Sequence, residues 1–244
     1  MHILKQLKEQ IRMIRIAWLR FKSRRLHDID VPLGIVVIVA PHPDDEVLGC
    51  GGLIQRLVRT GYEVHVVFMT GGEGSHRGCC NLEEEQLKSV RQKMAQQIDS
   101  LLGVEPSRLH FIDYPDGGIR MESSEIERLA TLLCQLNPTS IFVPHWGEGW
   151  PDHVNTRAII KEIGPQNVAI YEYCVWLWYY NVWHLDWHNA YMFRMTKEEH
   201  QRKLEAIDDY VTSKAPCGKP WSGVLPKVFI NAVECSDELF FEVR

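Results

Sequence analysis

A chain of 244 residues with 45% hydrophobic content can bury roughly 70–75% of the surface that its unfolded form exposes, enough for one core without disulfide or metal staples. Its net charge of −5, from 27 Lys and Arg against 32 Asp and Glu, excludes a general nucleic-acid binder, which needs a basic footprint. Seven cysteines, none in a Cys-x-x-Cys pair, argue against a cysteine-rich scaffold and suit a reduced, cytoplasmic setting.

The charge is unevenly spread. Residues 1–25 hold eight Lys and Arg against one Glu, which leaves 19 basic against 31 acidic residues in the remainder. Leu4, Leu7, Ile11, Ile14, Trp18 and Phe21 recur at spacings of three and four with basic residues between them, predicting a basic amphipathic helix over residues 1–30. Charges interrupt it too often for a signal peptide or for the ~20-residue apolar run of a membrane span. Two readings follow from the pattern. The apolar stripe packs on the protein's own body or on a second copy, as in a homo-oligomer, or residues 1–25 make peripheral contact with an anionic membrane surface.

A different pattern begins near residue 31 and continues to residue 244 as one further unit. Ile35 to Ala40 is an unbroken apolar run suited to a parallel strand covered on both faces. Asp44, Asp45 and Glu46 supply the negative charge favoured in a first helical turn, Val47 to Val58 continues that helix, and Gly61 suits its C-terminal cap. Val64 to Met69 is the next strand. Asn81 with Glu84 predicts a capping box opening a long helix that ends at Gly103, followed by a strand from Leu109 to Ile112. Ser124 with Glu127 opens a helix to about Leu136, then come a strand from Ile141 to Val143 and a helix from about His153 to Ile163. Two late strands, Lys227 to Val233 and Glu238 to Val243, extend the sheet. Strand and helix alternate, which predicts an α/β fold: an open, mostly parallel, Rossmann-like sheet with helices on both faces. Ligands then bind beyond the carboxyl ends of the strands, at the loops after Ala40, Met69, Ile112 and Val143.

The first of these loops, Pro41-His42-Pro43-Asp44-Asp45-Glu46, places one imidazole and three carboxylates at the ligand end of the sheet. Such a cluster is expensive unless something positive sits in it. Imidazole with carboxylate suits zinc, with iron(II) the alternative, and a catalytic zinc commonly has three protein ligands. The third ligand is expected from the loop after the Ile141 to Val143 strand, where Trp150-Pro151-Asp152-His153 stands near His145. A single loop histidine is more often a surface residue than a ligand, but two such loops at neighbouring strand ends shift that balance.

His42-Pro43-Asp44-Asp45-Glu46 resembles the H-P-D-D-E signature of the N-acetylglucosaminyl deacetylase-like (PIG-L/LmbE) proteins, and Pro151-Asp152-His153 resembles the end of their second motif. The resemblance runs from about Gly34 through Leu102-Gly103-Val104 and Tyr114-Pro115-Asp116-Gly117 to His153, more weakly beyond, and does not cover residues 1–30. It implies that His42, Asp45 and His153 hold the metal and that Asp44 is the general base for the attacking water. It further implies a deacetylase that converts an N-acetylated amino sugar to free amine and acetate. A carboxylate beside a metal-activated water is chemically suited to that role.

The chain departs from this pattern in two places. Relatives usually begin the second motif with a histidine, assigned to oxyanion stabilisation, where this chain has Trp150. An indole donates one hydrogen bond but carries no charge, so His145, oriented by Asp152, is expected to substitute. In the long helix relatives often carry Arg followed three residues later by Glu, whereas Arg91 here is followed by Met94. Arg91 is therefore either a substrate contact or an exposed helix residue. Asp116 matches a position often near sugar hydroxyls, and a plain turn is its alternative.

The glycine-rich stretch Thr70-Gly71-Gly72-Glu73-Gly74 lacks the Gly-x-Gly-x-x-Gly spacing of a dinucleotide site. The aromatic segment Trp176, Trp178, Tyr179, Tyr180, Trp183, Trp187, Tyr191 and Phe193 serves core or oligomer packing, or forms a stacking wall for a sugar or lipid-linked substrate. Nothing marks Cys79 and Cys80 as nucleophiles. Beside the deacetylase reading stand two others, hydrolysis of a non-sugar amide and a metal-containing carbohydrate-binding protein without turnover. Trp150 favours the last, and the retained Asp44 opposes it.

Overall fold

The computed structural model of the protein describes residues 2–78, 81–180 and 182–243; Cys79 and Cys80 lie outside them. Among the described residues seven strands form one sheet: β1 (Ile35–Ala40), β2 (Glu63–Thr70), β3 (Leu109–Tyr114), β4 (Ser140–Pro144), β5 (Ala169–Tyr173), β6 (Ala190–Arg194) and β7 (Asp237–Val243), in the order β3-β2-β1-β4-β5-β7-β6. The first five pair in parallel, and β7 runs antiparallel to both β5 and β6. Among the described residues seven α-helices accompany the sheet: α1 (His2–Ser23), α2 (Asp45–Arg59), α3 (Glu84–Leu101), α4 (Glu125–Leu136), α5 (Pro151–Ile163), α6 (Lys197–Thr212) and α7 (Lys227–Val233).

Two apolar layers sandwich the sheet, and β1 feeds both. Val36, Ile38 and Ala40 join the larger layer with residues of α2, α3 and α6, while Val37 and Val39 join a smaller one with Leu129 and Leu133 of α4 and Ile159 and Ile160 of α5. This is the period-two alternation of a strand covered on both faces. Val36, Val37, Ile38 and Val39 are all fully buried, each contributing roughly 1.5–3 kcal/mol of transfer free energy.

The strand order reverses direction between β1 and β4, which pair in parallel through Val36 with Ser140 and Ile38 with Phe142. Loops after two strands that flank such a reversal diverge to opposite faces and leave a crevice between them. Here the first loop carries His42, and the second leads into α5, whose first turn carries His153. Helix α2 closes over the crevice from one side. Its Gly49 lies so near β5 that a Cβ there would stand 2.3 Å from the Tyr173 ring, whose hydroxyl donates to Val39 O at 2.9 Å. A buried ion pair fastens α2 and α6 to β7: Lys203 Nζ donates to Glu238 Oε1 at 2.7 Å and to Leu48 O at 3.1 Å, and Glu238 also accepts from Gly52 N at 2.7 Å and Leu53 N at 3.0 Å.

Lys227–Val233, expected as a strand, is helix α7. Val228, Phe229, Ala232 and Val233 are buried there, a helical one-sided spacing, so burial of that face overrides the β-branched preference. Pro226, whose ring presets φ, stands at its N-cap. The box opening α3 lies two residues later than Asn81 and Glu84 suggest, with Glu83 N donating to Gln86 Oε1 at 3.2 Å. Helix α1 is amphipathic but ends at Ser23, short of the expected residue 30, and its apolar row faces outward. Arg15 and Leu19 are fully buried instead, with Arg15 donating to the carbonyls of Leu177, Trp178 and Val182.

A candidate metal centre at the strand ends

The crevice forms a cleft of about 370 Å³ lined by the four expected loops, with His42, Asp44 and Asp45 after β1, Gly74, Ser75 and Arg77 after β2, Asp116 and Gly117 after β3, and Trp150 after β4. Arg91 of α3 and Trp176 and Phe229 complete its wall.

Asp44 sits in an unusual backbone conformation, φ 141° and ψ −29°, which costs of order 1–3 kcal/mol in a residue with a Cβ. Its surroundings hold it there. Asp44 N–H donates to Glu46 Oε2 at 2.9 Å, and Glu46 Oε1 accepts from the Tyr210 hydroxyl at 2.7 Å. This turn lets His42 and Asp45 face each other: Asp45 Oδ2 accepts from His42 N at 3.0 Å and lies 3.2 Å from His42 Nδ1.

His153 reaches the same point from the first turn of α5, which Pro151 opens. Its Nε2 stands 3.3 Å from Asp45 Oδ2 and its Nδ1 3.3 Å from Glu148 Oε2. The ring is fully buried, yet neither nitrogen has an aligned hydrogen bond. Ligand atoms of His42, Asp45 and His153 all lie within 4.8 Å of one another. A buried imidazole nitrogen without a hydrogen bond, set among a second imidazole and a carboxylate, fits a divalent cation of the zinc type. The fields agree. Burial would lower the pKa of His153, but Asp45 and then Glu148 raise it to about 9. Burial would raise Asp45, but His153 and then His42 hold it well below the usual carboxylate range.

His42, Asp116 and Asp152 form a second set with the same spacing. Those carboxylates are already committed: Asp152 accepts from Gly117 N at 2.8 Å and Ile119 N at 3.3 Å, and Asp116 accepts from Gly74 N at 2.7 Å. Both approach His42 Nε2 at 3.3 Å, which fixes the ring with Nδ1 turned toward Asp45. A ligand imidazole held through its other nitrogen is common around catalytic metals.

Arg91 is buried and points into the site. It donates to Pro43 O, to Gly72 O at 2.9 Å, and to Asp44 Oδ2 at 3.2 Å. The exposed-helix alternative for Arg91 therefore falls. Gly72, at φ 67°, makes room for it, since a Cβ there would stand 2.3 Å from Nη1. Without a bound ion, burial lifts Asp44 to about 7 against the pull of Arg91.

His145 does not reach the cleft. Its backbone N–H donates to Tyr173 O at 2.8 Å, continuing the ladder of β4. The ring lies between Trp146 and Phe241 in a separate cavity with Arg157, Lys161 and Glu172. Burial, and then Arg157, push its pKa down to about 3, so it carries no positive charge near neutral pH. Asp152, expected to orient it, is occupied with Gly117, Ile119 and His42. Trp150 is the N-cap of α5 and stacks on Trp176, with ring centroids 5.7 Å apart and planes at 16°.

The aromatic segment divides accordingly. Trp176 lines the cleft, Trp178 and Phe193 are core residues, and Trp183 and Trp187 meet Trp18 of α1. Two site residues escape a sequence reading. Glu148 is fully buried beside His153 and also accepts from Val175 N at 2.9 Å and Leu177 N at 3.1 Å; its signal is an acid between two glycines at a strand end. Glu73 accepts from Asp116 N at 2.8 Å.

Comparison with known proteins gives relatives and a family. Diacetylchitobiose deacetylase of Thermococcus kodakarensis is 28% identical over 122 residues, covering 48% of this chain and 44% of that protein. The 1D-myo-inositol 2-acetamido-2-deoxy-alpha-D-glucopyranoside deacetylase of Corynebacterium diphtheriae is 30% identical over 149 residues, covering 52% of this chain and 51% of that protein. The chain thus spans about half the length of the curated relatives it matches. The solved structure of N,N'-diacetylchitobiose deacetylase from Pyrococcus horikoshii, complexed with its inhibitor MPG, superposes with a TM-score of 0.59 at 23% identity, covering 75% of this chain and 71% of that one, a likeness of fold. The family model described as PIG-L, GlcNAc-PI de-N-acetylase, matches residues 37–163, more than half of the chain and every residue of the His42, Asp45 and His153 cluster, and on that match the chain belongs to the PIG-L family.

Proposed function

We propose that the chain is a metal-dependent amide hydrolase that removes the acetyl group from an N-acetylated amino sugar, releasing acetate and the free amine. The observation that carries this reading is the convergence of His42, Asp45 and His153 with an uncommitted edge of Asp44 at the floor of an open cleft. Two relatives support the substrate class by name, one a diacetylchitobiose deacetylase and the other a deacetylase of 1D-myo-inositol 2-acetamido-2-deoxy-alpha-D-glucopyranoside.

His42 Nδ1, Asp45 and His153 Nε2 would hold the ion, zinc by donor chemistry with iron(II) the alternative. A divalent ion bound there would lower the pKa of water toward ~7 and polarise a carbonyl. Asp44 takes the proton from the attacking water as its oxygen bonds to the acetyl carbon. The same carboxyl returns the proton to the nitrogen as the C–N bond breaks, so water is consumed and amine and acetate are formed. A carboxylate beside a metal-activated water is placed to take its proton and to hand it on to the departing nitrogen. Arg91 holds Asp44 in place and keeps it from turning away. Trp150 and Trp176 present stacked rings to the apolar face of a pyranose, and Asp116 faces the cleft for its hydroxyls. His145 has no part in this scheme.

The test incubates metal-loaded protein with N-acetylglucosamine as free sugar, disaccharide, inositol-linked and lipid-linked compounds, reading acetate and free amine. Turnover that disappears in Asp44→Asn while the metal stays bound supports the reading. One bound ion per chain with no turnover on any compound overturns it in favour of a non-sugar amide substrate or of the binding-protein alternative that Trp150 suggests.

A further inference from the structure

Helix α1 is docked the reverse of an ordinary amphipathic helix. Its inner face is basic: Arg12 donates to Tyr179 O at 3.1 Å, Arg15 serves three carbonyls, and Arg20 reaches Ala232 O and Asp237. The carbonyls of Leu177, Trp178, Tyr179 and Val182 lie outside any strand ladder, the first two within a single 3₁₀ turn (Trp176–Trp178), and take guanidinium donors instead. Turning α1 to bury its apolar row would strip those carbonyls of donors and leave the arginines unpaired. The orientation is therefore locked, and Leu4, Leu7, Ile11, Ile14, Trp18 and Phe21 face outward, with Leu7 51%, Ile14 67% and Phe21 62% exposed. Six large apolar side chains in one row exceed the scattered exposure of an ordinary surface.

Charge identifies what covers the row. Lys8 and Lys22 stand one helical turn from Leu4 and Trp18, Arg24 and Arg25 follow directly, and all four are exposed. Glu9 is the one acid in residues 1–25, and it is turned to Arg12 of its own helix at 3.9 Å. Pairing with a second copy would set basic margin against basic margin. An anionic lipid surface complements both features, taking the apolar row into the acyl boundary while the lysines extend to the headgroups. Trp18 and the exposed Trp183, with ring centroids 6.0 Å apart, are aromatics of the kind that settle at headgroup level. Among the described residues no helix is long and apolar enough to cross a membrane. We infer that α1 is a fixed docking face for an anionic lipid surface, bound by its outward apolar row and basic margin. This inference stands whether or not the cleft is a deacetylase.

The test is flotation of the full chain with phosphatidylglycerol-rich and with pure phosphatidylcholine vesicles, following tryptophan emission. Each basic residue near an anionic surface is worth roughly fivefold in affinity, so a preference of about tenfold or more for the anionic vesicles is expected, with a blue shift as Trp18 and Trp183 leave water. Leu7→Asp with Ile14→Asp should abolish flotation, and Lys22→Glu with Arg24→Glu and Arg25→Glu should remove the anionic preference, both with unchanged circular dichroism. Should the first variant fail to fold, the charge variant and the wild-type emission shift still decide. Wild-type protein that ignores anionic vesicles, or charge variants that float as well as wild type, would overturn the inference. So would a solution dimer that Leu7→Asp with Ile14→Asp dissociates while vesicles are ignored, which would assign the row to a second copy.

Discussion

Arg91 and Asp44 are buried partners across 47 positions of sequence, with Nη2 3.2 Å from Oδ2, and the same guanidinium clasps the carbonyls of Pro43 and Gly72. One side chain of α3 thus ties the loops after β1 and β2 together at the proposed base. Arg91→Ala should lower kcat by about 100-fold or more, the scale of losing a positioned charge in an active site. Metal content should persist, because His42, Asp45 and His153 do not touch Arg91. Arg91→Lys should recover only part, since a point charge cannot serve two carbonyls and a carboxylate at once. Steady-state kinetics beside metal analysis checks both; full activity of Arg91→Ala would remove Arg91 from the site.

Glu148 stands 3.3 Å from His153 Nδ1, where it orients the ring and raises its basicity. Glu148→Gln keeps the shape and one acceptor for the backbone N–H groups of residues 175–177, but loses the charge. Its affinity for zinc should fall about 10- to 100-fold, the usual effect of a partner behind a ligand. A chelator competition titration measures it. Unchanged affinity would show that Glu148 serves only the loop.

Trp150 lies on Trp176 with nearly parallel rings at the mouth of the cleft. Trp150→Ala should raise KM for the preferred acetylated sugar about threefold to tenfold, the worth of one stacked aromatic contact, and leave kcat within about twofold. A selective fall in kcat instead would mean that the indole acts on the reacting carbonyl.

Asp99 is fully buried and neither carboxylate oxygen has a hydrogen-bond partner; burial pushes its pKa well above the usual range. A carboxyl whose folded pKa exceeds its unfolded one binds more protons in the folded state. Its contribution to stability is therefore greatest below an unfolded pKa of ~4 and is lost as pH rises through the folded value. Asp99→Asn cannot ionise, so its Tm should exceed that of wild type by more at about pH 8 than at about pH 5. Thermal unfolding at both pH values decides it, and a Tm difference independent of pH would refute the assignment.

Much of the fold could be read before any coordinates. The run Ile35 to Ala40, the helical stretch after it and the repeated alternation are local patterns, and a parallel sheet follows from them because each element must bury a face whose period is written in consecutive residues. The His42 to Glu46 segment was legible for the same reason, since its residues act from one turn. Lys227–Val233 misled because a short segment with five apolar residues, three of them β-branched, suits either element, and only the surface it packs on chooses between them.

What the sequence by itself determined, then, is the layered α/β architecture, the end of the sheet where chemistry sits, and the ligand-type residues of the two loops. The tertiary structure decided which side chains meet there. It turned Arg91 inward, put Glu148 behind His153, sent His145 to another cavity by extending β4 one residue, and faced the apolar row of α1 outward. Periodicity specifies that a helix has two faces, but which face is covered depends on distant groups. For α1 the carbonyls of Leu177, Trp178 and Val182 take Arg15 as their donor, because a buried carbonyl left without one costs about 1–3 kcal/mol.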